Sequence, residues 1–128
     1  MVAFLSPEWV ERQRELLKDL PGGEDVSVRV RCVVTGGPDG DVTYHLEFDG
    51  GRAVSGGPGP GDEPDVVLTT TYEVARDIAR GDLEPSVAFM QGVLKTQGPT
   101  AQLVPLLALT QSPAYQAAAE RLRAETEL

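Results

Sequence analysis

Few side chains in this sequence have the chemistry of a nucleophile or a general base. The chain contains five serines, and none lies in the G-x-S-x-G arrangement that exposes a serine nucleophile. Its single histidine, His45, sits in an alternating segment whose pattern places the imidazole on the polar face of a strand. The residue types and their spacing therefore favour a protein that is not an enzyme.

Metal and phosphate sites are also disfavoured. Cys32 and His45 supply one thiol and one imidazole, and strand alternation places them on opposite faces of the predicted sheet. The acidic segment 62–65 lacks the order of ligands in a calcium loop and is interrupted by Pro64. The glycine-rich segment 56–61 is not followed by Lys and Ser or Thr and opens no helix, as a phosphate-binding loop would. We therefore expect no metal, no cofactor and no nucleotide.

Charge and length restrict the partners and the number of domains. The 128 residues include 11 basic and 20 acidic side chains, a net charge of −9. This charge disfavours nucleic acid and anionic membranes, because both are bound mainly through Lys and Arg, so any membrane contact should be transient at most. Six of the nine negative charges belong to residues 21–65, in turns and a loop. A chain of this length accommodates one core, which predicts a single domain over residues 1–128.

Cysteine usage and the N-terminal residues predict a cytoplasmic location. One cysteine cannot form an internal disulfide, which favours a reducing compartment. Residues 1–9 lack the basic region and the long apolar stretch of a secretory signal. The longest apolar run, residues 103–109, contains Pro105 and is far shorter than the roughly 20 residues that a membrane-spanning helix needs.

The first half of the chain predicts one helix followed by antiparallel strands. Ser6 and Pro7 are typical of an N-cap and a first helical position, and an amphipathic pattern follows them. Apolar and polar residues then alternate along 26–34 and 42–48, with a glycine-rich turn between them. Residues 52–55 can return as a third strand. These segments predict a hairpin-built sheet with one buried face.

The second half of the chain alternates strands with helices. A Gly- and Pro-rich connection, residues 56–64, is expected to be mobile. The predicted elements after it are a strand at 65–69, a helix at 72–80 with a capping box from Thr70 to Glu73, a helix at 83–91, a strand at 94–97, and two helices that begin after Pro99 and Ser112. Antiparallel strands followed by interleaved helices predict an α+β fold with helices on one face of a sheet.

Large apolar side chains are concentrated after residue 83. Seven of them lie on elements that should be neighbours: Phe89, Met90, Leu94, Leu103, Val104, Leu106 and Leu107. The helix after Pro99 is apolar around most of its circumference, so it must be covered by protein on several sides or face something apolar that is not protein. From the residues alone, this set is either an ordinary core or the lining of a pocket.

Residues 65–98, DVVLTTTYEVARDIARGDLEPSVAFMQGVLKTQG, contain D-V-x-L-T, a Gly-ended helix and L-x-P-x-x-A-F-M-x-G-x-L-K-x-x-G in that order. In this the chain resembles the sterol carrier protein type-2 family. The resemblance implies a sheet of about five mainly antiparallel strands, covered on one face by helices and enclosing an apolar tunnel for fatty acyl chains, acyl-CoA, phospholipid or sterol. The C-terminal residues 126–128 are not the peroxisomal tripeptide of many eukaryotic members, which together with the composition points to a stand-alone bacterial member.

The resemblance therefore predicts non-enzymatic binding and carriage of a hydrophobic ligand. The residues predicted to line the tunnel are Phe89, Met90, Leu94, Leu103, Val104 and Leu107. Residues 56–64 or the C-terminal helix would gate its opening.

Two other hypotheses remain open. In the first, the tunnel holds the substrate of a cyclising or hydrolysing enzyme, with Tyr44, His45 or a buried carboxylate as the reactive group, and a group with a raised pKa should then face the cavity. In the second, side chains fill the tunnel, and the protein is an interaction module that presents an apolar groove to a partner enzyme or forms a homodimer.

Overall fold

The computed structural model describes residues 1–22 and 25–128. These residues form five helices and two sheets. The strands are β1 (Val2–Ala3), β2 (Val28–Gly37), β3 (Gly40–Asp49), β4 (Arg52–Pro58), β5 (Val66–Thr71), β6 (Lys95–Gln97) and β7 (Thr126–Glu127). The helices are α1 (Pro7–Lys18), α2 (Tyr72–Arg80), α3 (Pro85–Met90), α4 (Thr100–Thr110) and α5 (Pro113–Ala124).

The main sheet has five strands in the order β4-β3-β2-β5-β6. Strand β5 is parallel to β2, and the other neighbours are antiparallel. Alternation along the strands directs Val30, Leu46 and Phe48 inward, and each is at most 5 % exposed. The predicted α+β fold with a mainly antiparallel sheet is confirmed.

Helices α1, α2, α4 and α5 pack over one face of this sheet. Helix α1 packs along β4 and against α5, and α2 packs on β2 and β5. Leu17 of α1 and Leu106 of α4 share a buried cluster with the inward side chains of β2 and β3. A second cluster combines Trp9 and Val10 of α1 with Leu122 of α5. The core therefore has two parts between one sheet face and the helices.

Serine and threonine hydroxyls begin three of the helices. Ser6 accepts a hydrogen bond from the Trp9 amide at 3.2 Å, as the sequence predicts. At α2, however, the N-cap is Thr71 and not Thr70. The Thr70 hydroxyl instead donates to the Val93 carbonyl at 2.8 Å. The reason is the alternation of β5, which turns Thr70 inward and leaves Thr71 free to cap.

The Gly- and Pro-rich connection, residues 56–64, runs from β4 onto the outer face of the sheet, opposite the helices. Residues 56–58 belong to β4, so the prediction that the whole of 56–64 is a mobile connection is wrong for this part. Beyond them, the Arg31 guanidinium donates to the Pro60 carbonyl at 3.0 Å, and His45 Nδ1 lies 2.9 Å from the Gly59 carbonyl. Arg31 and His45 are cross-strand neighbours on this outer face.

The two ends of the chain pair with each other, which the sequence did not predict. Val2 lies opposite Thr126 in a short parallel ladder between β1 and β7, and the Val2 amide donates to the Glu125 carbonyl at 2.8 Å. Strands of two residues are too short to show a periodic pattern, so only the folded chain reveals this pairing.

Candidate functional site

A cavity of about 470 Å³ lies between the sheet and the helices. Its wall combines inward side chains of β2, β3 and β5 with residues of α1, α2, α4 and α5, and both parts of the core contribute. The volume falls within the roughly 300–1,000 Å³ of small-molecule sites in proteins. The interior therefore has room for a ligand of moderate size.

Most of the cavity wall is aliphatic or aromatic. Leu16 and Leu17 of α1, Leu68 of β5 and Ile78 of α2 are examples from different layers. The indole of Trp9 also lines the cavity and packs edge-on against Tyr44, with ring centroids 5.7 Å apart. Such a wall favours an apolar occupant, because each buried apolar group is removed from water.

Four polar side chains converge on the same cavity: Gln13 of α1, Cys32 of β2, Tyr44 of β3 and Tyr115 of α5. We call them the polar cluster. Cys32 and Tyr44 are directly opposite each other in the β2–β3 pair. The Cys32 thiol and the Gln13 amide both act on the pKa of Tyr44, Cys32 raising it and Gln13 lowering it, so the three side chains are neighbours. The polar cluster is thus one group of polar side chains in the wall, which also contains Thr70, Thr110 and Thr126 and several polar residues near its opening.

The ionisable members of the polar cluster are neutral at pH 7. Burial raises the pKa of the Cys32 thiol to about 11, and the nearby Tyr44 hydroxyl opposes this rise. Burial, with a contribution from Cys32, raises the pKa of Tyr44 well above its ordinary value and that of Tyr115 to about 12. Nucleophiles and general bases need pKa values near the working pH. These shifts move away from pH 7, so the cluster is suited to hydrogen bonding rather than to proton transfer.

The cavity reaches the surface beside α5. The exposed residues of its wall are Gly81, Glu84, Gln116 and Glu120. The opening therefore lies between the segment after α2 and one face of α5. Of the two predicted gates, α5 borders this opening, whereas residues 56–64 contact the opposite face of the sheet.

Gly81 and Arg123 close one side of the opening. Gly81 ends α2 in the left-handed region with φ 82°, where a side chain is disfavoured. A Cβ at this position would also lie 2.7 Å from the guanidinium carbon of Arg123. The Arg123 guanidinium donates to the Ala79 carbonyl at 2.8 Å. The left-handed backbone is the main reason for glycine here, because the flexible Arg123 side chain could move away from a Cβ.

The six residues predicted to line the tunnel occupy three different environments. Leu94 and Leu107 are part of the cavity wall. Leu103 is 6 % exposed and lies within the larger core cluster. The other three lie outside the wall and are exposed: Phe89 by 38 %, Met90 by 75 % and Val104 by 56 %.

Helix geometry explains why these three side chains point outward. In α3 Ala88 is completely buried, and Phe89 and Met90 follow it at about 100° and about 200° around the helix, away from the core. In α4 the buried side chains are Leu103, Leu106 and Leu109, which leaves Val104 on another side of the helix. The apolar residues of α4 therefore face three environments: the core, the cavity at Leu107 and solvent at Val104.

From the sequence, Tyr44 was named in the enzymatic alternative alone, and Gln13, Cys32 and Tyr115 were not included in the site, although signals for them were present. The alternation of the first two predicted strands places Cys32 and Tyr44 on the inward face. Gln13 lies on the apolar stripe of the first helix, where a polar residue needs a partner or a function. No local pattern in the sequence indicates that α1, α5 and the sheet meet at one point.

Neither a metal cluster nor a membrane-spanning helix is found in the described part of the chain. Across residues 1–22 and 25–128, no three His, Cys, Asp or Glu side chains are grouped so that they could share a metal ion. None of the helices formed by these residues combines the length and hydropathy that crossing a bilayer requires.

The fold and the cavity define a class of small α+β proteins in which helices and one sheet face enclose an apolar pocket. The chain belongs to the SCP-2 sterol transfer family, whose family model matches residues 12–111. This membership confirms the resemblance read from residues 65–98. A comparison with curated proteins gives no match.

Solved structures show the same fold. A crystal structure of sterol carrier protein 2 has a TM-score of 0.73 at 21 % identity, over 94 % of this chain and 97 % of that one. A conserved hypothetical protein from Thermus thermophilus, described as possibly a sterol carrier protein, has a TM-score of 0.76 at 19 % identity, over 98 % and 91 %. The palmitated SCP2L2 of Aedes aegypti has a TM-score of 0.62 at 19 % identity, over 80 % and 95 %.

Proposed function

We propose that residues 1–128 form one domain that binds and carries a hydrophobic ligand without catalysing a reaction. The observation that supports this most directly is the 470 Å³ cavity with its mainly apolar wall. Membership of a sterol transfer family and the likeness to a palmitated relative are consistent with a lipid as the ligand. The classes proposed are a fatty acid, an acyl-CoA, a phospholipid or a sterol-like lipid.

An apolar wall alone provides enough free energy for useful affinity. Each buried CH₂ contributes about 0.8 kcal/mol before ordering costs, so a long chain can bind at micromolar concentration. Leu94 and Leu107 are proposed to contact this chain directly, and Leu103 to support the wall from behind. Because Phe89, Met90 and Val104 are exposed outside the wall, they would contact a ligand only after a rearrangement of α3 and α4.

The geometry gives less support to the two alternative functions. The enzymatic alternative calls for a group with a raised pKa at the cavity, and Cys32 and Tyr44 meet that condition. Their pKa values are raised away from pH 7, however, so both groups stay protonated, and His45 lies on the outer face of the sheet. An interaction module should have its interior filled by side chains, whereas this interior contains a cavity. Carriage of a ligand accounts for both observations.

Several finer points stay predictions from the sequence. These are a cytoplasmic location, a bacterial source, transient membrane contact at most, and the presence of a homodimer or a partner enzyme. The charge of −9 is the main support for weak membrane adhesion.

A pair of alanines on α5 tests the proposed function. Ala118 lines the cavity, whereas Ala117 is exposed on the same helix and is not part of the wall. Ala118→Phe should fill the cavity and weaken binding of a long-chain fatty acid at least tenfold, and Ala117→Phe should leave it unchanged. Quenching or enhancement of the fluorescence of Trp9, the single tryptophan, reports binding from within the wall.

Mass spectrometry under native conditions provides the second measurement. The wild-type protein purified from cells should retain a lipid, and the Ala118→Phe variant should not. The proposed function is contradicted if the wild-type protein neither retains a lipid nor binds added fatty acid, or if Ala118→Phe binds as well as Ala117→Phe.

A further inference from the structure

Four large apolar side chains are exposed on neighbouring elements. Of the seven large apolar residues exposed in the described part of the chain, Phe89, Met90, Val93 and Val104 belong to α3, the segment after it and α4. Single exposed apolar side chains are ordinary, whereas a contiguous group marks a contact with a protein or a membrane. What matters is therefore whether these four share one surface.

A hydrogen bond between the two helices places these side chains on the same side of the molecule. The Gln111 amide at the end of α4 donates to the Ser86 hydroxyl of α3 at 2.6 Å. Residues four or seven positions apart share a helix face, so Met90 lies on the Ser86 side of α3 and Val104 on the Gln111 side of α4. We call this surface the α3–α4 face, and its exposed residues are Phe89, Met90, Val93, Val104 and Ala108.

The α3–α4 face belongs to a segment that is almost free of charge. Lys95 is the one charged residue from 85 to 119, in a chain with 11 basic and 20 acidic side chains. Glu84 and Glu120, which bound this segment, are both at the opening of the cavity. The uncharged surface therefore begins at the opening, and the acidic side chains of the molecule lie outside it.

This composition fits a lipid surface better than a protein partner. Most of the binding energy in protein interfaces comes from Trp, Tyr and Arg side chains. Residues 85–119 contain neither Trp nor Arg, and their one tyrosine, Tyr115, lines the cavity. An apolar face without a cationic cluster is not attracted to anionic lipids, but it can bury its side chains among zwitterionic ones. A hydrophobic ligand is sparingly soluble in water, so its source should lie close to the opening.

We propose that the α3–α4 face docks transiently on membranes of zwitterionic lipid and brings the opening of the cavity next to the lipid surface. The inference rests on the proposed function for the choice of partner, and it adds the surface and the type of membrane at which the ligand is exchanged. Docking is transient because few side chains insert and no cationic cluster adds attraction. Anionic membranes are bound more weakly, since the chain has a net charge of −9.

Vesicles of phosphatidylcholine test this docking, with binding measured by co-sedimentation of sucrose-loaded vesicles. Val104→Glu should weaken binding at least about 5-fold, because a carboxylate resists transfer out of water. Val54→Glu is the matched control, since it makes the same change at a residue that is 51 % exposed, against 56 % for Val104, but lies on β4. This control should bind as the wild type does.

Two further measurements sharpen the test. Met90→Glu, on the other helix of the face, should weaken binding as Val104→Glu does. Replacing part of the phosphatidylcholine with phosphatidylglycerol should weaken the binding of the wild type. Binding of fatty acid without vesicles should be equal in the wild type and all three variants, because none of the changed side chains lines the cavity.

The outcomes separate this inference from the proposed function. If the wild type does not bind phosphatidylcholine vesicles, or if Val104→Glu and Met90→Glu bind them as well as Val54→Glu does, the inference is overturned and the proposed function stands. The inference is also overturned if sedimentation velocity shows a wild-type dimer that Val104→Glu dissociates, because a second copy then covers the face. If the wild type retains no lipid and binds no fatty acid, the proposed function itself fails.

Discussion

Cys32 occupies a cross-strand position opposite Tyr44, with its side chain in the cavity wall. The thiol packs against the larger core cluster, and burial raises its pKa to about 11. A thiolate there would lack hydration, so the neutral form is favoured. This single side chain is therefore a chemical probe of how dry the cavity is.

Alkylation of Cys32 by iodoacetamide should be slow at pH 8 and should keep accelerating through pH 10. With a pKa of about 11, roughly one thiol in a thousand is ionised at pH 8, whereas roughly one in four is ionised for free cysteine. The rate should be at least 100-fold below that of the urea-unfolded protein, as measured by intact mass. A rate that levels off near pH 9 would mean that the thiol is hydrated.

At the residue scale, sequence patterns predicted which way side chains point. The alternation along β3 correctly separated Leu46 and Phe48 from His45. It did not predict that Tyr44, on the same inward face, would meet a cavity rather than a packed core. That outcome depends on how closely the helices approach the sheet, which no single strand encodes.

Helices α1 and α5 are joined by an ion pair with two contacts. The Arg12 guanidinium donates to both carboxylate oxygens of Glu125, at 2.7 and 3.0 Å. The β1–β7 ladder lies next to this pair, because the Val2 amide bonds to the Glu125 carbonyl. Together these contacts hold the N-terminal segment against the last helix, and both helices contribute to the cavity wall.

Replacing Glu125 with Gln should lower the melting temperature slightly at pH 7. The hydrogen bond from Arg12 lowers the pKa of Glu125, so its stabilising effect is present above the pKa of the unfolded chain and is lost as the pH falls through the lower native value. The difference between wild type and variant should thus shrink on acidification. Circular dichroism melts at pH 7, 5 and 3.5 measure it.

Glu127→Gln is the matched control, since Glu127 makes no ion pair among the described residues. Equal melting temperatures for the two variants at pH 7 would show that the Arg12 contact does not stabilise the fold. Partly exposed pairs contribute little, so the expected shift is at most a few degrees.

At the element scale, long periodic segments were predicted well and short ones were not. The extent of α1 and α5 follows from N-cap serines and an amphipathic pattern. Helix α3 has six residues, too few for a periodic pattern to assign a buried face. The apolar character of Phe89 and Met90 therefore predicted burial. In the folded chain Ala88 is the buried residue of this short helix, so Phe89 and Met90 point outward.

At the scale of the whole molecule, the described residues enclose a cavity of about 470 Å³ that opens to the surface. Protein cores are normally close-packed, and an empty space forfeits contacts that would stabilise the fold. Here residues from both parts of the core line the cavity, and their side chains do not fill it. A ligand that fills the cavity should therefore stabilise the folded state.

Addition of a bound lipid should raise the melting temperature by several degrees. A ligand present at 100 times its Kd contributes about 2.7 kcal/mol if it binds only the folded state, and about 1 kcal/mol corresponds to a few degrees for a domain of this size. Differential scanning calorimetry of lipid-stripped protein, with and without 1-dodecanol, measures the shift. Ala118→Phe should show little response, and an equal response from this variant would place the ligand outside the cavity.

By itself the sequence determined the order of the elements, the inward faces of the strands, the lack of catalytic spacing and the family that the chain resembles. These are local properties, set by alternation, helix capping and ordered motifs along the chain. Only the tertiary structure decided that an interior cavity exists and that Gln13, Tyr44 and Tyr115 meet in it. The physical reason is that convergence of residues distant in sequence depends on how α1 and α5 pack over the sheet, and no segment of the chain specifies that packing alone.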